Sequence, residues 1–172
     1  DIMLWRALKD IKKGFYIDVG AAWPDEHSVT KLFYDKGWHG INIEPNPVHI
    51  ERFPKERLGD INLPLAIGNK IGETEMYFIS NTGLSSLNKK IADSHSKLGF
   101  KTTKCTVKLT TLASICEEHC KDKEIHFLKI DIEGHEKQAL FGNDWVKFRP
   151  WIIVVEATEP MSQLENYGKW EP

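Results

Sequence analysis

The densest group of titratable side chains lies in the segment FLKIDIEGHE, residues 127–136. Its chemically active members are Lys129, Asp131, Glu133, His135 and Glu136. Because alternate residues of a strand share a face, Lys129, Asp131 and Glu133 are predicted to lie together, opposite an apolar face. Charged groups on a central strand need partners or a polar cleft. The pattern therefore predicts either a proton-transfer site or a structural ion pair between Lys129 and one of the acids.

A second group of residues has the spacing of a nucleoside site. The segment FYIDVGA ends an apolar run with Asp18, Gly20 and Ala21, and small residues there let a ligand approach the backbone. Glu44 follows the next apolar run, 24 residues after Gly20. An acid about 20 residues after such a glycine typically binds ribose hydroxyls. The GxGxxG pattern of a pyrophosphate loop is absent, so an unliganded turn and a solvated acid stay open as alternatives.

Glu156 and the cysteines are further candidates for site residues. Glu156 ends the very apolar segment PWIIVVEA and could join the same sheet edge, or it is an ordinary acid at a strand end. Cys116 and Cys120 stand four apart with no second pair of ligands, so a zinc site is rejected. Three cysteines in all give no disulfide framework, which favours a reducing, cytoplasmic setting.

The segments that must position these residues alternate between helical and strand patterns. Strands are predicted at 15–20, 39–44, 61–68, 72–79, 105–112, 125–134 and 150–157, with helices at 2–13, 28–36, 111–120 and 135–142. This alternation predicts an α/β fold with a doubly wound, mostly parallel sheet and antiparallel additions, of which 72–79 is one. Ligands of such sheets bind beyond the carboxyl ends of the strands.

A single domain is predicted over residues 1–172. It consists of an N-terminal helix at 1–13, a sheet core at 14–157 and a tail at 158–172. The sequence stops soon after the last apolar strand, so we expect a C-terminus that ends before a complete sheet of this type would.

Composition excludes several partner classes. With 23 Lys and Arg against 25 Asp and Glu, the net charge is -2, and no dense basic tract offers a surface to nucleic acid. No apolar run approaches the roughly 20 residues that would span a bilayer. We therefore expect a cytoplasmic protein with a small-molecule partner, without nucleic-acid binding or membrane insertion, whose oligomeric state stays open.

Taken together, the motifs resemble the FkbM family of S-adenosylmethionine-dependent methyltransferases, in the bacterial branch often found near sugar-biosynthesis functions. The resemblance covers nearly the whole chain. The segments that carry it are LWRALK, FYIDVGA, SVTKLFYDKGWHGINIEPNP, LAIGNKIGETEMYF, TGLSSL, TVKLTTL, FLKIDIEGHEKQALFG and RPWIIVVEATEP.

The resemblance implies a class I methyltransferase sheet and a set of cofactor contacts. It implies Asp18 and Gly20 beside the methionine part of the cofactor, Glu44 on the ribose, and Ala66 and Ile67 near the adenine. The other residues expected to bind the cofactor are Ala21, Pro45 and Asn46. It also implies that Asp131, Glu133 and His135 face the methyl group and the acceptor. One departure is Ala22, where family members usually carry Asn, so a polar contact to the cofactor is lost.

The resulting hypothesis is methyl transfer from S-adenosylmethionine to a hydroxyl of a saccharide or glycosylated metabolite. Asp131 or His135 would accept the proton, Glu133 would orient the acceptor and Lys129 would hold a carboxylate in its charged form. No metal ligand is assigned, although a divalent ion on Asp131 and Glu133 stays open as an alternative. The rival hypotheses are an NAD-dependent oxidoreductase and a non-catalytic cofactor-binding domain. Acceptor specificity is expected in residues 80–100, which include Ser85 and Ser86.

Overall fold

The computed structural model describes residues 2–80, 82–158 and 164–169. Its strands are β1 Phe15–Val19, β2 His39–Ile43, β3 Ile61–Leu63, β4 Ala66–Gly68, β5 Gly72–Ile79, β6 Thr102–Thr111, β7 Phe127–Ile130 and β8 Ile152–Val155. Its helices are α1 Ile2–Leu8, α2 Lys31–Asp35, α3 Pro47–Ile50, α4 Phe53–Glu56, α5 Lys89–Lys97, α6 Leu112–His119 and α7 Glu136–Phe141, with a 3₁₀ turn at Tyr167–Lys169. Within these ranges no helix is long and apolar enough to cross a membrane.

Five strands form an all-parallel sheet in the order β3-β2-β1-β7-β8. The order reverses between β1 and β7, which are neighbours in space but far apart in sequence. Val19, the last residue of β1, pairs with Ile43 of β2 and with Ile130 of β7. The residues that follow these three strand ends therefore meet at one edge, and the predicted α/β sheet is confirmed.

A second, three-stranded sheet has the order β4-β6-β5, in which β5 and β6 are antiparallel. The antiparallel strand predicted at 72–79 is thus confirmed. The single strand predicted over 61–68 is wrong, because the strand is interrupted at Pro64, between β3 and β4. Proline has no N–H to donate to a ladder, and the Leu65 amide turns back to the Leu63 carbonyl at 2.9 Å. As a result, β3 stays in the parallel sheet while β4 joins the second one.

Both faces of the parallel sheet are covered, as a doubly wound fold requires. One face buries side chains of β1, β2 and β7 against α6 and α7, with Leu112, Ile115 and Ala139 among the helix contacts. The other face buries Tyr16 and Phe127 against α1, α2 and Trp38. The N-terminal helix ends at Leu8 rather than at residue 13, since Leu4 and Leu8 already complete its buried side.

The predicted tail is described only in part. Thr158 and Glu165 form an antiparallel bridge, and residues 159–163 and 170–172 lie outside the described residues.

A fully buried arginine fixes the loop that follows β1. Arg57 donates to the Pro24 carbonyl at 2.9 and 2.6 Å and to the Tyr16 hydroxyl at 3.1 Å. The Asp60 carboxylate supplies the opposite charge, 3.9 Å from the guanidinium, and accepts a hydrogen bond from Tyr16 at 2.6 Å. Buried charges persist only when they are paired and hydrogen-bonded in this way. The loop after β1 is therefore held firmly against the sheet.

Candidate functional site

A cleft of about 520 Å³ lies at the carboxyl edge of the parallel sheet, beside the point where strand order reverses. Gly20, Glu44 and Asp131 line it from the ends of β1, β2 and β7, and Ala66 and Ile67 line it from β4. The other lining residues are Val19, Ala22, Ile43, Pro45, His49, Leu65, Met76, Gly83, Ser85, Leu87 and Ile132. A mostly apolar wall with a few converging polar groups is typical of small-molecule sites.

Glu44 is the buried carboxylate of this cleft, with only 6% of its surface exposed. Its Oε2 accepts the Ala22 amide at 3.0 Å and its Oε1 accepts the Asn46 amide at 2.8 Å. Burial raises the pKa of Glu44 to about 7, and the two amide donors and Lys129 offset this only in part. Each oxygen keeps a lone pair for a ligand hydroxyl.

The turn after β1 brings two backbone segments into direct contact. Gly20 has a φ of +77°, and a Cβ built on it would overlap the main-chain oxygen of Asp131. The Gly20 and Ala21 amides both donate to the Ile43 carbonyl, at 3.0 and 3.2 Å. Ala22 also has a positive φ of 48°, in the left-handed region that Asn and Gly adopt more readily than Ala. Ala22 therefore carries backbone strain in the turn that borders Glu44.

Lys129 links the ends of β1 and β7 beneath the cleft. Its ammonium donates to the Gly20 carbonyl at 2.7 Å and lies 3.3 Å from Asp18 Oδ1 and 3.4 Å from Asp131 Oδ2. The contact with Asp18 Oδ1 is an ion pair without good hydrogen-bond geometry, while Asp18 Oδ2 accepts from Thr30 at 2.9 Å. Burial lowers the pKa of Lys129, but the two carboxylates outweigh it and hold that pKa above its usual value.

Three acids gather where β7 and β8 end: Asp131, Glu133 and Glu156, with carboxylate oxygens within 4.8 Å of one another. Burial and the neighbouring carboxylates raise the pKa of Glu133 to about 7 and that of Glu156 to about 8. The predicted grouping of Lys129, Asp131 and Glu133 holds, but Glu133 does not continue the strand as predicted. The reason is that β7 ends at Ile130 and Glu133 lies in a turn with a φ of +50°.

The predicted site residues fall into two groups. Gly20, Glu44, Pro45, Ala66, Ile67 and Asp131 line the cleft. The others lie outside its lining: Asp18 and Lys129 beneath it, Ala21 and Asn46 in the loops that hold Glu44, and Glu133 in the acidic group. His135 lies beside Gly68 of β4, and burial lowers its pKa.

Sequence reasoning missed several lining residues. His49 is buried on the cleft wall, packs against the Trp23 ring at 4.6 Å, and has a pKa lowered by burial. Met76 reaches the cleft from β5 of the second sheet. The antiparallel pattern of β5 located the strand, but no local signal indicates that it borders a site formed by a different sheet.

The chain matches the model of a known protein family. The family model described as the methyltransferase FkbM domain matches residues 18–171, a range that contains every residue lining the cleft. No curated protein and no solved structure matches the chain significantly.

We expect Gly20→Ala to destabilise the fold more than Gly37→Ala does. Both glycines have a positive φ, of 77° and 86°, which costs a Cβ-bearing residue about 1–2 kcal/mol. Only at Gly20 would the new methyl group also overlap the Asp131 backbone, since nothing lies within 4 Å of it at Gly37. The overlap should add about 1–3 kcal/mol. Urea unfolding of both variants measures the difference, and equal losses would show that the contact is less tight than described.

Proposed function

The chain belongs to the FkbM methyltransferase family, and from this premise we propose that it is an S-adenosylmethionine-dependent O-methyltransferase. Its acceptor is the hydroxyl group of a saccharide or a glycosylated metabolite. The observation that supports the cofactor assignment is the cleft itself, with Glu44 buried at the end of β2 and Gly20 at the end of β1. The match to a methyltransferase family favours methyl transfer over NAD-dependent hydride transfer.

The lining residues suit the three parts of the cofactor. The carboxylate of Glu44 is oriented by two backbone amides and has lone pairs left for both ribose hydroxyls. Ala66 and Ile67, both buried, give an apolar wall for the adenine ring. Gly20 lines the cleft at the end of β1, on the side assigned to the methionine part. Ala21 and Asn46 contribute indirectly, by holding the loops around Glu44.

When bound, S-adenosylmethionine supplies a methyl group whose bond to sulfur breaks as the acceptor oxygen attacks, so that the electron pair stays on sulfur and an O–CH₃ bond forms. Asp131, the one predicted catalytic residue that lines the cleft, accepts the hydroxyl proton. Lys129 holds this carboxylate from beneath at 3.4 Å. Correct positioning can supply roughly 7–11 kcal/mol of the barrier reduction, and a general base about 10²- to 10⁴-fold in rate.

The acceptor is proposed to approach past residues 80–100. Gly83, Ser85 and Leu87 of this segment line the cleft. Ser86 donates to the Glu133 carbonyl at 2.7 Å and so ties the segment to the catalytic edge. We assign this work to one domain, acting in the cytoplasm on a small molecule and not on nucleic acid.

We expect S-adenosylhomocysteine to bind the chain with micromolar affinity and Glu44→Ala to weaken that binding at least about tenfold. The variant loses charge-assisted hydrogen bonds to the ribose, each typically worth about 1.5–3 kcal/mol. Isothermal titration calorimetry measures the effect, with Glu51→Ala, an exposed acid at the end of α3, as the matched control. No binding by the folded wild type, or equal binding by both variants, would contradict the cofactor assignment.

Binding of S-adenosylhomocysteine should also strengthen as pH rises through about 7. Burial raises the pKa of Glu44 from 4.5 to about 7, so its contribution to fold stability is full below about pH 4.5 and lost above about pH 7. Ribose hydroxyls bind the ionised carboxylate more tightly than the neutral acid. The affinity for S-adenosylhomocysteine therefore rises with pH, by up to about tenfold per pH unit. Calorimetry from about pH 6 to 8 should show this slope in the wild type and a flat profile in Glu44→Gln. A slope that persists in Glu44→Gln would assign it to another group.

Asp131→Asn should slow methyl transfer by about 10²- to 10⁴-fold while leaving S-adenosylhomocysteine binding intact. The amide keeps the shape of the carboxylate but cannot accept the proton. Transfer of a labelled methyl group is measured against a panel of sugars and glycosides, with Asp122→Asn, an exposed acid after α6, as the control. Unchanged turnover in Asp131→Asn would show that a different group accepts the proton.

A further inference from the structure

We propose that Asp131, Glu133 and Glu156 bind one hard divalent cation, Mg²⁺ or Mn²⁺, beside the cleft. The three carboxylates each offer an oxygen, and these oxygens lie within 4.8 Å of one another. Hard cations hold oxygen ligands at about 2.0–2.6 Å, so two ligands on opposite sides of one ion are about 4–5 Å apart. The spacing of the three acids therefore matches a shared ion.

The main chain fixes all three ligand positions. The Asp131 amide donates to the Val19 carbonyl at 3.0 Å, and the Glu156 amide donates to the Ile130 carbonyl at 2.9 Å. These bonds continue the pairing of β7 with β1 and of β8 with β7. The Glu133 carbonyl accepts the Ser86 hydroxyl at 2.7 Å. The acids are thus brought together by the sheet edge and one anchored turn, rather than by a chance meeting of exposed side chains.

Glu133 gives the independent sign of a missing ligand. Only 9% of its surface is exposed, and its Oε2 has no hydrogen-bond partner among the described residues. A buried carboxylate oxygen without a partner costs free energy, so such groups usually mark an unseen ligand or water. The Glu133 carboxylate faces Asp131 and Glu156, and a cation held between the three would satisfy it.

The charge balance around the acids also favours a cation. Lys129 lies 3.4 Å from Asp131, but the same ammonium is paired with Asp18 at 3.3 Å. One positive charge is thus divided between two carboxylates, while Glu133 and Glu156 add two more carboxyl groups at the same edge, which lose their protons when a cation binds. A ligand set made only of carboxylate oxygens suits hard cations such as Mg²⁺, Mn²⁺ or Ca²⁺.

The consequence for catalysis rests on the proposed function. Asp131 belongs both to the acidic group and to the cleft wall, so a cation on this group would border the space where the acceptor hydroxyl must enter. A divalent cation lowers the pKa of a coordinated hydroxyl and makes its oxygen a better nucleophile. The site would then bind and activate the acceptor, with one oxygen of Asp131 on the cation and the other accepting the hydroxyl proton, while Glu44 would bind the cofactor ribose.

The test is a titration of the full chain with MnCl₂ alone, followed by calorimetry and by the electron paramagnetic resonance signal of free Mn²⁺. The wild type should bind close to one equivalent, and Mg²⁺ should compete. Glu133→Gln and Glu156→Gln should each weaken Mn²⁺ at least about tenfold, because each removes a charged ligand. Glu73→Gln, an exposed acid on β5, is the matched control and should bind Mn²⁺ like the wild type.

Circular dichroism measures whether the variants are folded. If Glu133→Gln does not fold, the proposal is tested with Glu156→Gln alone, whose substitution is at a half-buried position. Absence of saturable Mn²⁺ binding by the wild type, or wild-type affinity in a folded Glu156→Gln, would overturn the proposal. A parallel titration with S-adenosylhomocysteine, without metal, keeps the two proposals apart. Mn²⁺ binding without S-adenosylhomocysteine binding would refute the cofactor assignment and leave the cation site standing.

Discussion

The ion pairs of Lys129 hold together the two strands between which the parallel sheet reverses its order. The ammonium contacts the Gly20 carbonyl, Asp18 and Asp131, so one side chain joins the end of β1 to the end of β7. Loss of this charge would leave Asp18, which is 1% exposed, as a buried carboxylate whose remaining contact is the Thr30 hydroxyl. Breaking a buried pair in this way typically costs about 3–5 kcal/mol. The geometry of the cleft depends on this interaction, because Gly20 and Asp131, which Lys129 brings together, both line it.

The cleft and the acidic group treat their carboxylates in different ways. Glu44 has backbone amides on both oxygens, an orientation that, under the proposed function, suits ribose hydroxyls. Glu133 has a buried oxygen without a partner and two acidic neighbours, an arrangement that suits a positively charged ligand. Asp131 belongs to both sites. Under the proposed function, this shared residue would contact both reactants.

The sequence predicted the edge of the site well and its interior poorly. Glu44 and Asp131 could be predicted because acids that directly follow parallel strands meet at one edge, whatever the packing behind them. Glu133 does lie with Asp131 as predicted, but through a turn and not through a continued strand, because β7 ends at Ile130. His49 and Met76 reach the cleft only through tertiary packing. Arg57 is a buried charge in a segment whose other residues are typical of a polar surface turn. Such contacts are set by distant residues and leave no local pattern.

The central claim is that the cleft between Gly20, Glu44 and Ile67 holds the adenosyl part of the cofactor with its sulfur directed toward Asp131. A crystal structure of the chain with S-adenosylhomocysteine tests this most directly. The account predicts both ribose hydroxyls within hydrogen-bond distance of the Glu44 carboxylate, the adenine against Ala66 and Ile67, and the sulfur nearest to Asp131. Density for the ligand outside this cleft, or a ribose that does not contact Glu44, would contradict it.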